Sequence, residues 1–295
     1  MASQGAVERI VGLIRDTSSA LPDDAVKALR RALRREAPGS GAAAILKTIL
    51  ENVSLARRNG TPMCQDTGTL TFFVDERLRR AVSPKVLSAA VEKATALGFL
   101  RRNTIDSVNG ASIDTNVCEG SPVVHYLAAG TVPGAVDGEP AVTLLMKGGG
   151  SENMSRQYSL PDASLGAGRD LEGVRKCVLD ACFRAQGFGC APGILGVCVG
   201  GDRATGFEEA KLQLLRPIGA RRAAKGAAAA NTVPPDFERR LLEECNSLGI
   251  GPMGLGGKTT LLDVHVGARP RLPASFFVTV AYLCWAARRR TLAWK

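Results

Sequence analysis

Apolar residues recur with helical spacing through most of the first 60 residues of the chain. This spacing predicts amphipathic helices at residues 6–15 and 24–36, and a third from about residue 42 to 58. Asp23 and Asp24, which follow a proline, suit the positive N-terminal end of the second helix. The pattern therefore predicts a helical N-terminal portion over residues 1–60.

Strands and helices mix in the rest of the chain without a strict βαβ alternation. Apolar runs bounded by turn residues predict strands at 69–75, 122–129, 139–146, 194–200, 261–267 and 275–283. Helical spacing predicts further helices at 84–98, 170–186, 205–215 and 236–247. The alanine- and arginine-rich segment 219–234 reads as a surface insertion. We therefore expect an α+β fold with mixed sheets, built as one domain over residues 1–295.

The composition is that of an ordinary globular protein, with 45% hydrophobic and 22% charged residues. No apolar run reaches the roughly 18–20 residues that a membrane-spanning helix needs, and the first residues contain no signal-peptide core. We therefore expect a cytoplasmic protein with no membrane partner. Thiols stay reduced in that compartment, so metal binding or catalysis becomes a more favoured role for the eight cysteines than disulfide formation.

The formal net charge of +10 raises the question of nucleic-acid binding. The arginines are dispersed along the chain, aromatic residues make up only 5%, and no nucleic-acid motif can be read. We expect no nucleic-acid partner, and assign the charge to solvated helix faces that also attract an anionic substrate or an acidic partner. A basic RNA-binding or scaffold protein with metal-free cysteines remains the non-enzymatic alternative.

Three cysteines share a local setting at a boundary between a loop and a strand, beside glycine, proline or a bulky apolar residue. They are Cys64, Cys190 and Cys284. Four others fall inside predicted helices or a strand and read as structural, namely Cys177, Cys182, Cys198 and Cys245; Cys118 lies on a loop and is ambiguous. Three widely separated thiolates suit a [4Fe–4S] cluster with one iron left open, but the spacing alone leaves buried, metal-free cysteines as the alternative.

Two glycine-rich segments also carry candidate chemistry. Lys-Gly-Gly-Gly at 147–150 follows a predicted strand, and its N–H groups could approach a carboxylate because glycine has no Cβ. Gly-Gly-Lys-Thr at 256–259 resembles the end of a phosphate-binding loop. That loop requires a glycine where this chain has Pro252, so we exclude it.

Four motifs taken together resemble the class I, iron–sulfur fumarase family. They are Cys-Gln-Asp-Thr-Gly-Thr at 64–69, Lys-Gly-Gly-Gly-Ser-Glu-Asn at 147–153, Gly-Ile-Gly-Pro-Met-Gly-Leu-Gly-Gly-Lys-Thr-Thr at 249–260 and Cys-Trp-Ala-Ala-Arg-Arg at 284–289. The resemblance is to the N-terminal half of that family, which many organisms make as a separate alpha subunit. It covers nearly the whole chain with the motifs in the family's order.

The resemblance implies a hydro-lyase that reversibly adds water to fumarate to give (S)-malate. It implies Cys64, Cys190 and Cys284 as ligands of a [4Fe–4S] cluster whose open iron acts as a Lewis acid. It further implies that Asp66 is catalytic and that the substrate is bound by Gln65, Arg101, Gly148, Gly149 and Gly150. In the family, the base that removes the C3 proton is attributed largely to the other half of the enzyme. We therefore expect activity only with a beta subunit.

The sequence departs from the family pattern at a few positions. Ala191-Pro192 follows the second cysteine where Pro-Pro is frequent, which keeps one proline in the turn. Arg102 stands where a histidine is common, so a role for that side chain is in doubt. The related alpha subunit of L(+)-tartrate dehydratase is the enzymatic alternative. Thr69 and the Ser-Glu-Asn at 151–153 favour fumarase over it.

Overall fold

The computed structural model describes residues 2–220, 232–234 and 236–295, with no account of the side chains of residues 2 and 3. The chain forms two compact units. Unit 1 comprises Met1–Asp23, Leu50–Gly149 and Ala286–Lys295; unit 2 comprises Asp24–Ile49 and Gly150–Trp285. Both units are assembled from segments that are discontinuous in sequence. The division of the chain into one domain over residues 1–295 stays a prediction.

Helices and strands alternate irregularly along the chain. In chain order the helices are α1 (Ala2–Ser19), α2 (Asp23–Arg35), α3 (Gly41–Asn59), α4 (Pro84–Ala96), α5 (Gly149–Asn153), α6 (Leu171–Ala185), α7 (Arg203–Gln213) and α8 (Phe237–Ser247). The strands are β1 (Thr69–Asp75), β2 (Thr104–Ile105), β3 (Ser112–Ile113), β4 (Val123–Leu127), β5 (Ala141–Lys147), β6 (Arg156–Ser159), β7 (Gly193–Gly200), β8 (Leu261–Arg269), β9 (Phe277–Leu283) and β10 (Arg289–Ala293).

Side-chain caps fix where several of these helices begin. The Ser83 hydroxyl accepts a hydrogen bond from the Val86 N–H at the start of α4, where Pro84 takes the first helical position. Asp170 caps α6 through the Gly173 N–H, and Asp202 caps α7 in a capping box. Each cap satisfies N–H groups that the helix itself leaves without partners.

A four-stranded sheet in the order β10-β5-β1-β4 organises unit 1. Strand β1 is antiparallel to β5 and parallel to β4, and β5 is antiparallel to β10. Every residue of β5 is buried, as are all but the first of β1. Apolar residues of α1 and α4 form one hydrophobic core with these strands. The carboxyl end of β5 and the start of β1 therefore lie together, with Lys147 opposite Thr69.

A second four-stranded sheet, in the order β6-β9-β7-β8, organises unit 2. Strand β7 is parallel to β8 and antiparallel to β9, so this sheet is mixed too. Its core is shared with α6 and α8 through residues such as Leu195, Val280 and Leu241. The other face meets α7 closely, because a Cβ at Gly196 would collide with the Ala210 carbonyl oxygen.

The structure confirms the α+β class with mixed sheets and the helical N-terminal portion. The predicted helices and strands occur with ends shifted by a few residues, but four short strands had no prediction, namely β2, β3, β6 and β10. Most of the predicted surface insertion at 219–234 lies outside the described residues. No described helix is both long and apolar enough to cross a membrane.

Candidate active site

The turn that carries Cys64, Gln65 and Asp66 lies in unit 1, between the end of α3 and the start of β1. Its entry is fixed by Met63, whose N–H donates to the Ser18 carbonyl at 3.1 Å and whose carbonyl accepts from the Asn52 amide at 2.9 Å. Met63 is buried, whereas Gln65 is exposed and Cys64 and Asp66 are half-buried. The turn therefore presents three polar side chains from an anchored base.

The Asp66 carboxylate is bound by two backbone N–H groups. Its Oδ1 accepts from the Gly68 N–H and its Oδ2 from the Gly149 N–H, each at 2.7 Å. A Cβ at Gly148 would lie 2.9 Å from Oδ2, so glycine is needed for this close approach. Part of the predicted glycine segment thus positions Asp66, and Gly149 directs its N–H to that carboxylate. Gly150 belongs to unit 2.

Three consecutive carbonyl groups of the turn each accept a hydrogen bond from a side chain of another segment. Arg101 Nε donates to the Cys64 carbonyl at 3.1 Å, and Asn103 Nδ2 donates to the Gln65 carbonyl at 3.0 Å. Arg288 Nη1 donates to the Asp66 carbonyl at 2.8 Å. Arg288 is only 1% exposed, so its charge-assisted bond is formed inside the protein. The orientation of all three peptide groups is therefore fixed.

The loop that carries Arg101 is held in turn by two polar side chains. The Thr67 hydroxyl donates to the Arg101 carbonyl at 2.8 Å and accepts from the Arg101 N–H at 2.9 Å. The buried amide of Asn116 donates to the same carbonyl at 2.9 Å and accepts from the N–H groups of Asn103 and Thr104. These bonds fix the backbone from which the exposed Arg101 guanidinium projects.

The Cys64 sulfur accepts a hydrogen bond from the Asp66 N–H, with 3.4 Å between nitrogen and sulfur. N–H groups donate in the same way to the cysteine sulfurs that bind iron–sulfur clusters. The Gln65 side-chain oxygen lies 4.0 Å from the same sulfur. The backbone of the turn thus directs one N–H donor at the Cys64 sulfur.

Cys190 and Cys284 lie close together in unit 2. The antiparallel register pairs Ile194 with Leu283, so one further step places Cys284 opposite the first residue of β7. Cys190 is in a turn with φ +55°, and its carbonyl accepts from the Trp285 N–H at 3.2 Å. The sheet therefore brings two of the three predicted ligands to one end, on neighbouring backbones.

The glycine-dense run at 249–257 supports the Cys190 turn. The Met253 N–H donates to the Ala191 carbonyl at 2.9 Å, and a Cβ at Gly187 would collide with the Met253 carbonyl oxygen. At the end of the run, the Lys258 N–H donates to both oxygens of the Glu36 carboxylate at 2.9 and 3.0 Å. The Glu36 carboxylate thus holds the end of this run within unit 2.

Cys64 belongs to unit 1, whereas Cys190 and Cys284 belong to unit 2. In the described part of the chain, no group of three or more Cys, His, Asp or Glu side chains is placed to hold a metal ion. The three-cysteine ligand set thus stays a prediction. An N–H is directed at the Cys64 sulfur, and the Cys190 turn is hydrogen-bonded to the segment that carries Cys284. Both arrangements fit the chemistry of cluster ligands.

Four other cysteines are buried within regular elements. Burial raises the pKa of the Cys177 and Cys198 thiols to about 12, which keeps both neutral. A hydrogen bond with Cys182 and burial together raise the pKa of Cys245. Such neutral thiols are poor metal ligands and pack as small apolar groups. Cys118 is exposed.

Sequence reasoning did not single out three residues that build the unit 1 site, namely Asn103, Asn116 and Arg288. Arg288 stood inside a recognised motif, which was the signal that could have indicated it. Asn116 has φ +59° and is completely buried. Neither property can be read from a polar loop sequence.

Known proteins match this chain over nearly its full length. The family model described as Fumarate hydratase (Fumerase) matches residues 7–293. A Geobacillus stearothermophilus protein named "Putative fumarate hydratase class I" is 44% identical over 292 residues, covering 96% of this chain and 53% of that protein. The chain thus spans about half the length of this relative. An Escherichia coli (strain UTI89 / UPEC) protein named "L(+)-tartrate dehydratase subunit alpha" is 32% identical over 296 residues, covering 98% of this chain and 92% of that protein.

Proposed function

The chain belongs to the fumarate hydratase (Fumerase) family, and we propose that it is the alpha subunit of an iron–sulfur hydro-lyase that interconverts fumarate and (S)-malate. The observation that carries this proposal is the turn at 64–68, in which three consecutive carbonyls and the Asp66 carboxylate are all hydrogen-bonded. Such a turn holds polar side chains rigidly beside a cysteine, as the addition of water at a metal requires.

Cys64, Cys190 and Cys284 would hold a [4Fe–4S] cluster. Three thiolates leave one iron without a protein ligand. The chemistry that the bound cluster supplies is Lewis-acid activation of the substrate hydroxyl and carboxylate at that open iron. The N–H directed at the Cys64 sulfur and the pairing of the Cys190 and Cys284 segments support this ligand set.

The residues of this chain would bind and orient the diacid. The planar guanidinium of Arg101 suits a carboxylate, and its backbone is fixed on both sides by Thr67 and Asn116. Gln65 would contact the substrate from the same turn, as would the backbone at Gly148 and Gly150, whereas the Gly149 N–H is directed to Asp66. Preorganisation of this kind lowers the entropic cost of reaching the transition state.

We assign Asp66 a role in moving the proton. Its carboxylate is held by the Gly68 and Gly149 N–H groups, so it cannot swing away from the turn. The base that takes the C3 proton would come from a beta subunit, with Asp66 as its coupling partner. Two relatives support a separate partner: one is about twice as long as this chain, and the other is named a subunit alpha.

The first experiment is anaerobic purification of this chain, alone and co-expressed with its partner. A bound cluster predicts broad absorbance near roughly 400 nm and iron in the purified protein. Cys64→Ser, Cys190→Ser and Cys284→Ser should each lower the iron content, whereas Cys118→Ser, at an exposed cysteine, should not. Full iron in all three ligand variants would refute the ligand assignment, and a colourless wild-type protein would refute the cluster.

Tartrate dehydration is the second candidate, because a named tartrate dehydratase subunit matches almost the full chain. The higher identity to the fumarate hydratase relative favours fumarate. The reconstituted pair should be assayed with malate, L(+)-tartrate and 2-methyl analogues at equal concentration. Turnover of tartrate without turnover of malate would replace the proposed substrate with tartrate.

A further inference from the structure

Tyr282 lies in β9 two residues before Cys284, in the part of unit 2 that brings Cys190 and Cys284 together. Cys284 follows directly after Leu283, the last residue of that strand. Tyr282 is paired with Leu195 and is only 1% exposed, and it belongs to the core that α6 and α8 share. The phenol is therefore enclosed beneath the two predicted ligands.

Two glycines that flank Cys190 make room for this phenol. A Cβ at Gly189 would lie 2.5 Å from Tyr282 Cε1 and 2.7 Å from Cζ. A Cβ at Gly193 would collide with Cζ and with the hydroxyl oxygen itself. Real Cβ atoms do not approach other atoms this closely, so any larger residue at either position would displace the ring. The phenol thus lies directly against the backbone of the Cys190 turn.

The Tyr282 hydroxyl is buried and has no hydrogen-bond partner among the described residues. A buried hydroxyl without a partner destabilises the fold. The other two of the three tyrosines use their hydroxyls: Tyr158 donates to Asp180 at 2.8 Å and Tyr126 to the Val82 carbonyl at 2.9 Å. The other two tyrosines have hydrogen-bond acceptors, whereas the buried Tyr282 hydroxyl has none in the described part of the chain. This difference indicates that its acceptor belongs to a group that binds after the chain has folded.

The ring contacts the backbone on both sides of Cys190, at Gly189 and at Gly193. An acceptor for the hydroxyl is therefore expected at the Cys190 turn or in a group that this turn binds.

We propose that Tyr282 donates a hydrogen bond to a sulfur atom of the bound cluster, at the Cys190 or Cys284 ligand, and so sets the reduction potential of the cluster. This inference rests on the proposed function, because it needs the cluster to be present. Reduction adds negative charge to the sulfurs, so a hydrogen bond to sulfur stabilises the reduced state and raises the potential. Tyr282 is a positioning residue that acts through the ligands.

The test compares Tyr282→Phe with Tyr158→Phe in the full chain, purified anaerobically with its cluster and partner. Both variants keep the ring and lose one tyrosine hydroxyl in the same unit, but only Tyr282 packs against the glycines that flank Cys190. Tyr282→Phe should keep its iron and lower the potential, with about a tenfold rise in the oxidised-to-reduced ratio at a fixed potential, which is 59 mV for a one-electron couple. Tyr158→Phe should leave the potential unchanged while lowering thermal stability, because it breaks the bond to Asp180.

The possible outcomes separate the two hypotheses. Wild-type protein without iron would overturn the proposed function and this inference together. A loaded wild-type protein whose potential and electron paramagnetic resonance spectrum match those of Tyr282→Phe would overturn the inference alone, and would assign the hydroxyl to a buried water. If Tyr282→Phe does not fold, incorporation of 3-fluorotyrosine, a stronger donor, should shift the potential upward; no shift would overturn the inference.

Discussion

The sharpest stability prediction concerns Gly68, which closes the Cys64 turn. Gly68 has φ +76°, a left-handed conformation that costs other residues about 1–2 kcal/mol. A Cβ there would also lie 2.7 Å from the carbonyl carbon and oxygen of Lys147 and 2.8 Å from the Gly148 nitrogen. These are backbone atoms at the end of β5, so they cannot yield by changing a rotamer. Gly68→Ala must therefore move the strand or the turn.

Gly98 provides a matched control for this substitution in the same unit. It has the same φ of +76°, but a Cβ there would meet nothing within 4 Å. Gly98→Ala should therefore cost only the left-handed conformation, about 1–2 kcal/mol. Gly68→Ala should cost that amount plus about 1–3 kcal/mol for overpacking. The effect of alanine on the unfolded chain is the same at both sites and cancels in the comparison.

Urea unfolding of the two variants and the wild type would measure the difference. We expect both variants to lower the unfolding midpoint, Gly68→Ala the more, with unchanged slopes. Gly68→Ala should also disturb the Asp66 carboxylate, whose Oδ1 accepts from the Gly68 N–H, and reduce turnover by the reconstituted enzyme. Equal losses of stability in the two alanine variants would refute the argument that the Lys147 backbone blocks this position.

Two further predictions concern buried polar groups of unit 1. Hydrogen bonds from Arg77 hold the pKa of Asp75 well below its usual 3.9; because the folded pKa is the lower one, this stabilisation is present above about pH 4 and is lost as the pH falls. Asp75→Asn should lower the free energy of unfolding at pH 7 by about 1–3 kcal/mol and flatten its fall below pH 4, measured by urea midpoints across pH. Asn116→Ala should cost about 2–4 kcal/mol, since it removes the acceptor of the Asn103 and Thr104 N–H groups and one of the two side-chain donors to the Arg101 carbonyl. Faster hydrogen exchange at residues 103 and 104 would test that expectation, and unchanged exchange would contradict it.

The strands that sequence reasoning missed in the two large sheets share a position. Strands β6 and β10 each form the edge of a four-stranded sheet. Edge strands carry charged residues, which guard against pairing with other chains. Arg156-Gln-Tyr-Ser and Arg289-Arg-Thr-Leu-Ala therefore lack the apolar runs that predict the interior strands. A hydrophobic pattern reports burial, so it identifies the mostly buried edge strand β8 but misses the short, charged edge strands β6 and β10.

The residues of the candidate site also differ in whether the sequence alone could predict them. Cys64, Gln65 and Asp66 could be selected because their side chains bear chemistry and because their motif resembles a family. Asn116 could not, because its role lies in satisfying backbone groups of residues 101–104, which requires knowing where that backbone runs. The same holds for the Gly149 N–H, predicted as a donor to substrate, which donates to Asp66. Residue types predict which side chains can take part in chemistry. The hydrogen bonds that orient those side chains depend on the fold.

The missed edge strand β10 has a direct consequence for the site. Arg289 pairs with Leu145 of β5, and the Arg288 carbonyl accepts from the Met146 N–H at 2.9 Å. This pairing sets the position of the Arg288 side chain, whose Nη1 holds the Asp66 carbonyl. The motif at 284–289 therefore gives Cys284 to unit 2 and Arg288 to unit 1.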